Sequence, residues 1–172
     1  AAGFSVVAYP YYDAATRGVR FDDMLASLRA MPERTIVVLH ACCHNPTGVD
    51  LTAEQWQQVV AVVKERNLTP FLDIAYQGFG DGLDADATAV RLFAASNLTV
   101  FISSSFSKTF SLYGERVGAL TIVADDSDEA ARALSQLKRV IRTNYSNPPT
   151  HGGAIVSKVL TSPELRALWE TE

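Results

Sequence analysis

Five short apolar runs punctuate the chain, "FSVVAY", "TIVVLHA", "TPFLDIA", "LTVFISS" and "VGALTIVA", with polar and helical segments between them. Runs this short and this continuous in Val, Ile, Leu and Phe suit strands buried on both faces, which is what parallel sheets covered by helices require. The alternation predicts an α/β fold: a mostly parallel sheet with helices on both faces, in three α/β/α layers, as a single domain over residues 1–172.

The connecting segments carry helix signals. In "LTAEQWQQVVAVVKERN", Thr52 can cap and Gln55 can close a capping box, while Trp56, Val59, Val60 and Val63 repeat at helical spacing and Lys64 and Arg66 complement the dipole at the end. In "SDEAARALSQLKRVIR", Ser127 reads as the cap, Asp128 and Glu129 fill the first turn, and Leu134, Leu137 and Ile141 form a stripe. That helix brings Arg142 to its end. The last segment, "SPELRALWETE", predicts an amphipathic helix with Leu165 and either Leu168 or Trp169 on one face. There is no internal repeat, low-complexity tract or Gly/Ser linker to divide the chain.

Composition narrows the classes. With 48% apolar and 20% charged residues, the 172-residue chain is of globular type and can bury a full core. A net charge of −4 argues against nucleic acid as a partner, despite the local cluster of Lys138, Arg139 and Arg142. No run is long and apolar enough for a membrane partner. Adjacent Cys42 and Cys43 do not make a disulfide framework, so a reduced, cytoplasmic setting is expected. The start lacks an initiator Met and a signal pattern, and the end stops within a helix, so the expectation is a fragment of a longer protein.

Open parallel sheets bind ligands beyond the carboxyl ends of their strands. Four such ends carry unusual polar residues: Asn45, then Asp73 with Tyr76, then Ser105 with Lys108, and Arg116 a little further on. Each has an ordinary reading. Asn45 opens the turn-forming "NPTG", Asp73 can anchor a structural hydrogen bond, and Tyr76 can pack its ring. Lys108 can be a solvated surface amine, yet "SSSFSKTF" offers hydroxyls and N–H groups for an anion, and Arg116 adds a planar fork that matches phosphate. A lysine near a phosphate site, with a carboxylate and a phenol at hand, is the set that pyridoxal phosphate needs. Two rival readings stand beside this one. His40, His44, Cys42 and Cys43 could ligate a metal, and the serines could hold a nucleophile, although the Gly-x-Ser-x-Gly elbow is missing.

Taken in order, "CCHNPTG", "LDIAYQGFG", "SSFSKTFSLYGERVG" and "IRTNYSNPP" resemble the class I aminotransferases of fold type I, in the branch that holds the aspartate and aromatic-amino-acid enzymes. The resemblance covers nearly the whole chain and implies the large, cofactor-binding domain. It implies that Lys108 forms the Schiff base with pyridoxal 5'-phosphate and shuttles the proton of the substrate. Asp73 would keep the pyridine nitrogen protonated, Tyr76 and Asn45 would bond the ring's phenolic oxygen, and Ser105 and Arg116 would hold the phosphate. Asn45 and Arg142 would also meet the substrate, Arg142 by reaching into the neighbouring subunit of a homodimer to bind a side-chain carboxylate.

The implied reaction moves an amino group from an aromatic or dicarboxylic amino acid to a 2-oxo acid such as 2-oxoglutarate, with ping-pong kinetics. The serine and glycine in "SFSKTFSLYGERVG" and "DIAYQGFG" look closer to the aromatic-amino-acid enzymes. Members of the family are more than twice as long, and their Gly-rich phosphate loop, the aromatic residue stacked on the ring and the arginine for the α-carboxylate are not found here. The chain alone is therefore expected to be inactive, and a non-catalytic scaffold or dimerisation unit of the same fold is the alternative. An aminotransferase-like transcription regulator would need a DNA-binding domain that these residues do not contain.

Overall fold

A computed structural model describes residues 3–172 of the chain. A hairpin of β1 (Tyr12–Asp13) and β2 (Gly18–Val19) leads into α1 (Phe21–Ala30). Then β3 (Ile36–His40), α2 (Ala53–Glu65), β4 (Thr69–Ile74), α3 (Thr88–Ala94) and β5 (Val100–Ser105) alternate. A short 3-10 turn at Tyr113–Glu115 precedes β6 (Gly118–Val123), and α4 (Ser127–Asn144), α5 (His151–Thr161) and α6 (Pro163–Thr171) follow.

The main sheet has the order β3-β4-β5-β6. The first three strands are parallel, in a register that sets His40 beside Asp73 and Asp73 beside Ser103. The last runs antiparallel to β5 and pairs Ser105 with Gly118. The α/β class and the mostly parallel sheet are as the sequence predicts, and four of the five apolar runs form its strands. The fifth does not: "FSVVAY" carries no strand, and Phe4, Val6 and Val7 are 65%, 79% and 80% exposed. A β-type run becomes a strand only where another strand satisfies its N–H and C=O groups, and this segment pairs with none of the described strands. It is tethered further on, where the Tyr9 hydroxyl donates to the Val38 carbonyl and that of Tyr11 to Val49.

Because β3, β4 and β5 follow one another across the sheet, right-handed crossovers place α2 and α3 on the same face. That face holds the core: Val37, Leu39, Leu72, Val100 and Ile102 of the strands meet Met24 and Leu28 of α1, Val59 and Val63 of α2 and Phe93 of α3. Trp56 meets Phe93 edge to face, with centroids 6.4 Å apart. Burial of each such side chain is worth about 1.5–3 kcal/mol. The opposite face is more open. Ile36 and Val38 are 45% and 48% exposed, and Phe71 and Phe101 cross edge to face while half-buried. Asp73 belongs to this open face, since its neighbours Leu72 and Ile74 both point into the core.

The capping box of α2 is complete: the Thr52 hydroxyl accepts from the Gln55 N–H at 3.2 Å, and the Gln55 side chain accepts from the Thr52 N–H at 2.9 Å. In α4 the cap is Asp126 rather than Ser127. Asp126 is the residue still in extended geometry, and its carboxylate accepts the Glu129 N–H at 2.7 Å. Leu137 and Ile141 of its stripe are half-buried, while Leu134 remains 51% exposed. In α6 it is Trp169 that faces inward: its indole N–H donates to the Thr109 carbonyl at 2.8 Å and its ring stacks on Phe110 at 4.6 Å.

Candidate active site

The parallel strands β3, β4 and β5 deliver the loops that follow them to one edge of the sheet. The antiparallel β6 sends its amino end to that same edge, which explains how Arg116 comes near Ser105 although it precedes a strand instead of following one. Gly118 makes the approach possible, because a Cβ there would stand 2.7 Å from the Ser104 carbonyl oxygen. Ser103, Ser104, Ser105, Ser107 and Arg116 line one open pocket there. Within it the Ser105 hydroxyl accepts the Ser107 N–H at 3.2 Å. Arg116 holds a left-handed backbone with φ 52°, a strained conformation for a residue with a side chain, and donates to the Tyr113 carbonyl at 2.8 Å.

On the β4 and β5 loops, the Lys108 amine lies 4.7 Å from the centroid of the Tyr76 ring, a cation–π contact. Lys108 also borders the larger cavity, which Gln77, Phe79, Phe110, Leu165 and Trp169 help to line. On the β3 side, the Asn45 N–H donates to Nδ1 of His40, the residue in register with Asp73. Thus Asn45, Asp73, Tyr76 and Lys108 gather at one edge. Among the described residues their side chains find no hydrogen-bond or ion-pair partner, and the ring contact of Lys108 is their one mutual polar interaction. Asp73, Tyr76 and Lys108 are half-buried, where an unpaired polar group carries a desolvation cost.

Arg142 stands apart from the other six predicted site residues. It lies exposed near the end of α4, with its guanidinium donating to the Ser146 hydroxyl one turn on. Glu115 forms no ion pair among the described residues, and its Cβ packs close to Gly152.

The four residues of the metal reading do not form one cluster among the described residues. His44 stacks on Tyr11 with centroids 3.8 Å apart and bonds Thr47 through Nδ1, while His40 Nδ1 is taken by Asn45. The two thiols do come together with Asp86, their ligand atoms all within 4.8 Å of one another. However, the Asp86 carboxylate already accepts N–H groups from Gly78, Gly80 and Asp81 at 2.7, 3.0 and 2.9 Å. Burial, and next the Asp86 charge, push both thiols above the ordinary cysteine range.

The sequence reading missed the groups that hold these loops. Asp50 accepts the N–H groups of Cys43 and His44 at 2.6 and 2.7 Å, immediately before Asn45. Asp86 does the same after Tyr76. Asp50 follows the turn-forming "NPTG" and Asp86 sits in a Gly- and Asp-rich stretch, both of which read as solvated turns; the available signal was a carboxylate a few residues from glycines or turn residues, able to collect their N–H groups. Burial of Asp86, at 6% exposure, is visible only in three dimensions.

Comparison with known proteins places this geometry in context. Residues 1–172 match the family described as aminotransferase class I and II. The chain is 68% identical over 172 residues to an aspartate aminotransferase of Pseudomonas aeruginosa, covering all of this chain and 43% of that protein. It is 55% identical over 171 residues to the aromatic-amino-acid aminotransferase of Escherichia coli, covering 99% of this chain and again 43% of the relative. Among solved structures, an aromatic-amino-acid aminotransferase from Burkholderia pseudomallei covalently bound to pyridoxal phosphate superposes with a TM-score of 0.98 at 76% identity, covering 99% of this chain and 43% of that one. The chain therefore spans less than half the length of the relatives it matches. Among its described residues, no helix is long and apolar enough to cross a membrane.

Proposed function

The chain belongs to the class I and II aminotransferases, and from that premise we propose that it is part of the cofactor-binding domain of an enzyme that moves an amino group from an aromatic or dicarboxylic amino acid to a 2-oxo acid such as 2-oxoglutarate. The observation that carries this reading is the set of unpartnered polar side chains at one sheet edge, Asn45, Asp73, Tyr76 and Lys108, beside the serine and arginine pocket. Asp73, Tyr76 and Lys108 are half-buried without protein partners, which suits a polar ligand.

The donor set fits pyridoxal phosphate. Ser105, the backbone N–H groups around it and Arg116 would hold the phosphate. Asp73 would pair with the pyridine nitrogen, and Tyr76 and Asn45 would donate to the phenolic oxygen. When bound, this cofactor supplies an electron sink for the charge left at the substrate Cα. Lys108 provides the amine that anchors it and then, as general base and acid, takes up the proton from Cα and holds it for return. Thr109 and Phe110 shape the wall next to that amine. The two half-reactions, one amino acid leaving as a 2-oxo acid before the second oxo acid enters, predict ping-pong kinetics.

Arg142, which lies apart from this group, suits the role of reaching a partner subunit's site in a homodimer and pairing with a substrate carboxylate. In the full-length protein, Asp73→Ala is expected to lower turnover with tyrosine or aspartate as donor by orders of magnitude while cofactor capture on Lys108 persists. An unchanged rate would remove Asp73 from the chemistry.

A further inference from the structure

Asp86 is 6% exposed and lies in the connection between β4 and α3. It has no cation partner among the described residues, and its carboxylate is turned instead onto the loop that follows Tyr76. Oδ2 accepts the N–H groups of Gly78 and Gly80, and Oδ1 accepts that of Asp81. The loop is shaped for this. Gly78 has φ 98°, and a Cβ on Gly80 would stand 2.5 Å from Asp86 Oδ1, so the chain can wrap the carboxylate only with glycine at that place. Charge-assisted bonds from three amides make a stiff clamp, roughly twice as strong per bond as neutral ones.

The clamp does not end at its own loop. Gln77, between Tyr76 and the clamped Gly78, offers its carbonyl to the Thr109 hydroxyl at 3.3 Å and donates its side-chain amide to the Leu83 carbonyl at 2.9 Å. Thr109 follows Lys108 directly, and its own carbonyl is fixed from the other side by the Trp169 indole. Lys108 in turn lies over the Tyr76 ring. Tyr76 and Lys108 are thus joined both by their direct contact and by a backbone route that starts at Asp86.

We propose that Asp86 is a positioning residue: by clamping residues 78–81 it fixes Tyr76 and Gln77, and through Gln77 and Thr109 it sets where the Lys108 amine stands. This rests on Lys108 being the reactive amine of the proposed function, and it extends that reading to a residue that touches neither cofactor nor substrate. The role differs from general support of the fold, because it requires energetic coupling between Asp86 and Thr109 and a readout at one particular lysine.

The test uses the full-length protein freed of pyridoxal phosphate, so that its amines are open to reagent. Competitive acetylation with acetic anhydride across pH reports the reactivity of Lys108, with Lys64, Lys138 and Lys158 as internal references. Amide hydrogen exchange reports the clamp. Asp86→Asn keeps one oxygen that can accept but sets an NH2, which only donates, against the N–H groups that the other oxygen accepted. It is expected to accelerate exchange at residues 78–81 by about tenfold or more, and to change Lys108 acetylation by at least about threefold with the references unmoved. Thr109→Val is expected to reproduce the Lys108 change with residues 78–81 still protected, and the double variant should show no more than the larger single effect.

Exchange accelerated in Asp86→Asn with Lys108 unchanged, or additive effects in the double variant, would overturn the proposal. If Asp86→Asn does not fold, Gly80→Ala opens the same clamp with the carboxylate retained and is judged by the same two readouts. Failure of wild-type Lys108 to capture pyridoxal phosphate in a separate sample would sink the proposed function, while the acetylation result would still decide whether Asp86 positions this amine.

Discussion

At the scale of single residues, candidate chemistry is legible where polar groups interrupt apolar strands. Asp73 inside "FLDIA" and Lys108 after a run of serines stand out because burying either group without a partner costs free energy. The carboxylates that hold the neighbouring loops, Asp50 and Asp86, were not legible, since they accept from backbone N–H groups that nearly every residue carries. The β3 loop offers a test of how such support responds to pH. Burial against Tyr11, and then the proximity of His40, hold the His44 imidazole below its ordinary value of 6.5, while Asp50 pulls the other way. A folded-state value that is lowered means that the unfolded chain binds the proton more readily. The stability contributed by neutral His44 is therefore complete above the unfolded value and is lost as pH falls through the lowered folded one. Thermal melts should show the midpoint dropping just below pH 6.5 in the wild type and a flatter profile there in His44→Gln. Equal slopes in the two proteins would take His44 out of the pH response.

At the scale of elements, four strands and the helix α2 with its capping box could be read from the apolar runs and the Thr52–Gln55 spacing. Strand direction could not, because an apolar run is the same pattern read from either end. That is why the antiparallel course of β6, which brings Arg116 to the serine pocket, came only from the structure. "FSVVAY" shows the converse limit, since β-propensity without a neighbouring strand makes no strand. The β5–β6 seam depends on Gly118, where a Cβ would press on the Ser104 carbonyl. Gly118→Ala should cost about 1–3 kcal/mol in urea unfolding, the range of an overpacked site. It should also loosen the serine pocket, read as faster exchange of the Ser105 and Ser107 amides. Wild-type stability and exchange in this variant would mean that the seam is wider than described.

At the scale of the molecule, one face of the sheet is closed by α1, α2 and α3, whereas the other bears Ile36, Val38, Phe71 and Phe101 together with Asp73. Asp73 thus lies on the side of the sheet away from the core, and a substitution there can be made without opening the core. The chain spans 43% of the length of the relatives that it matches. The central claim, that one lysine among four carries the cofactor chemistry, can be tested directly. Full-length protein is incubated with pyridoxal phosphate, reduced with borohydride and digested, and its peptides are weighed. We expect a pyridoxyl group on Lys108 at near-stoichiometric yield and none on Lys64, Lys138 or Lys158. An unmodified Lys108, or label spread evenly over the four, would contradict the account.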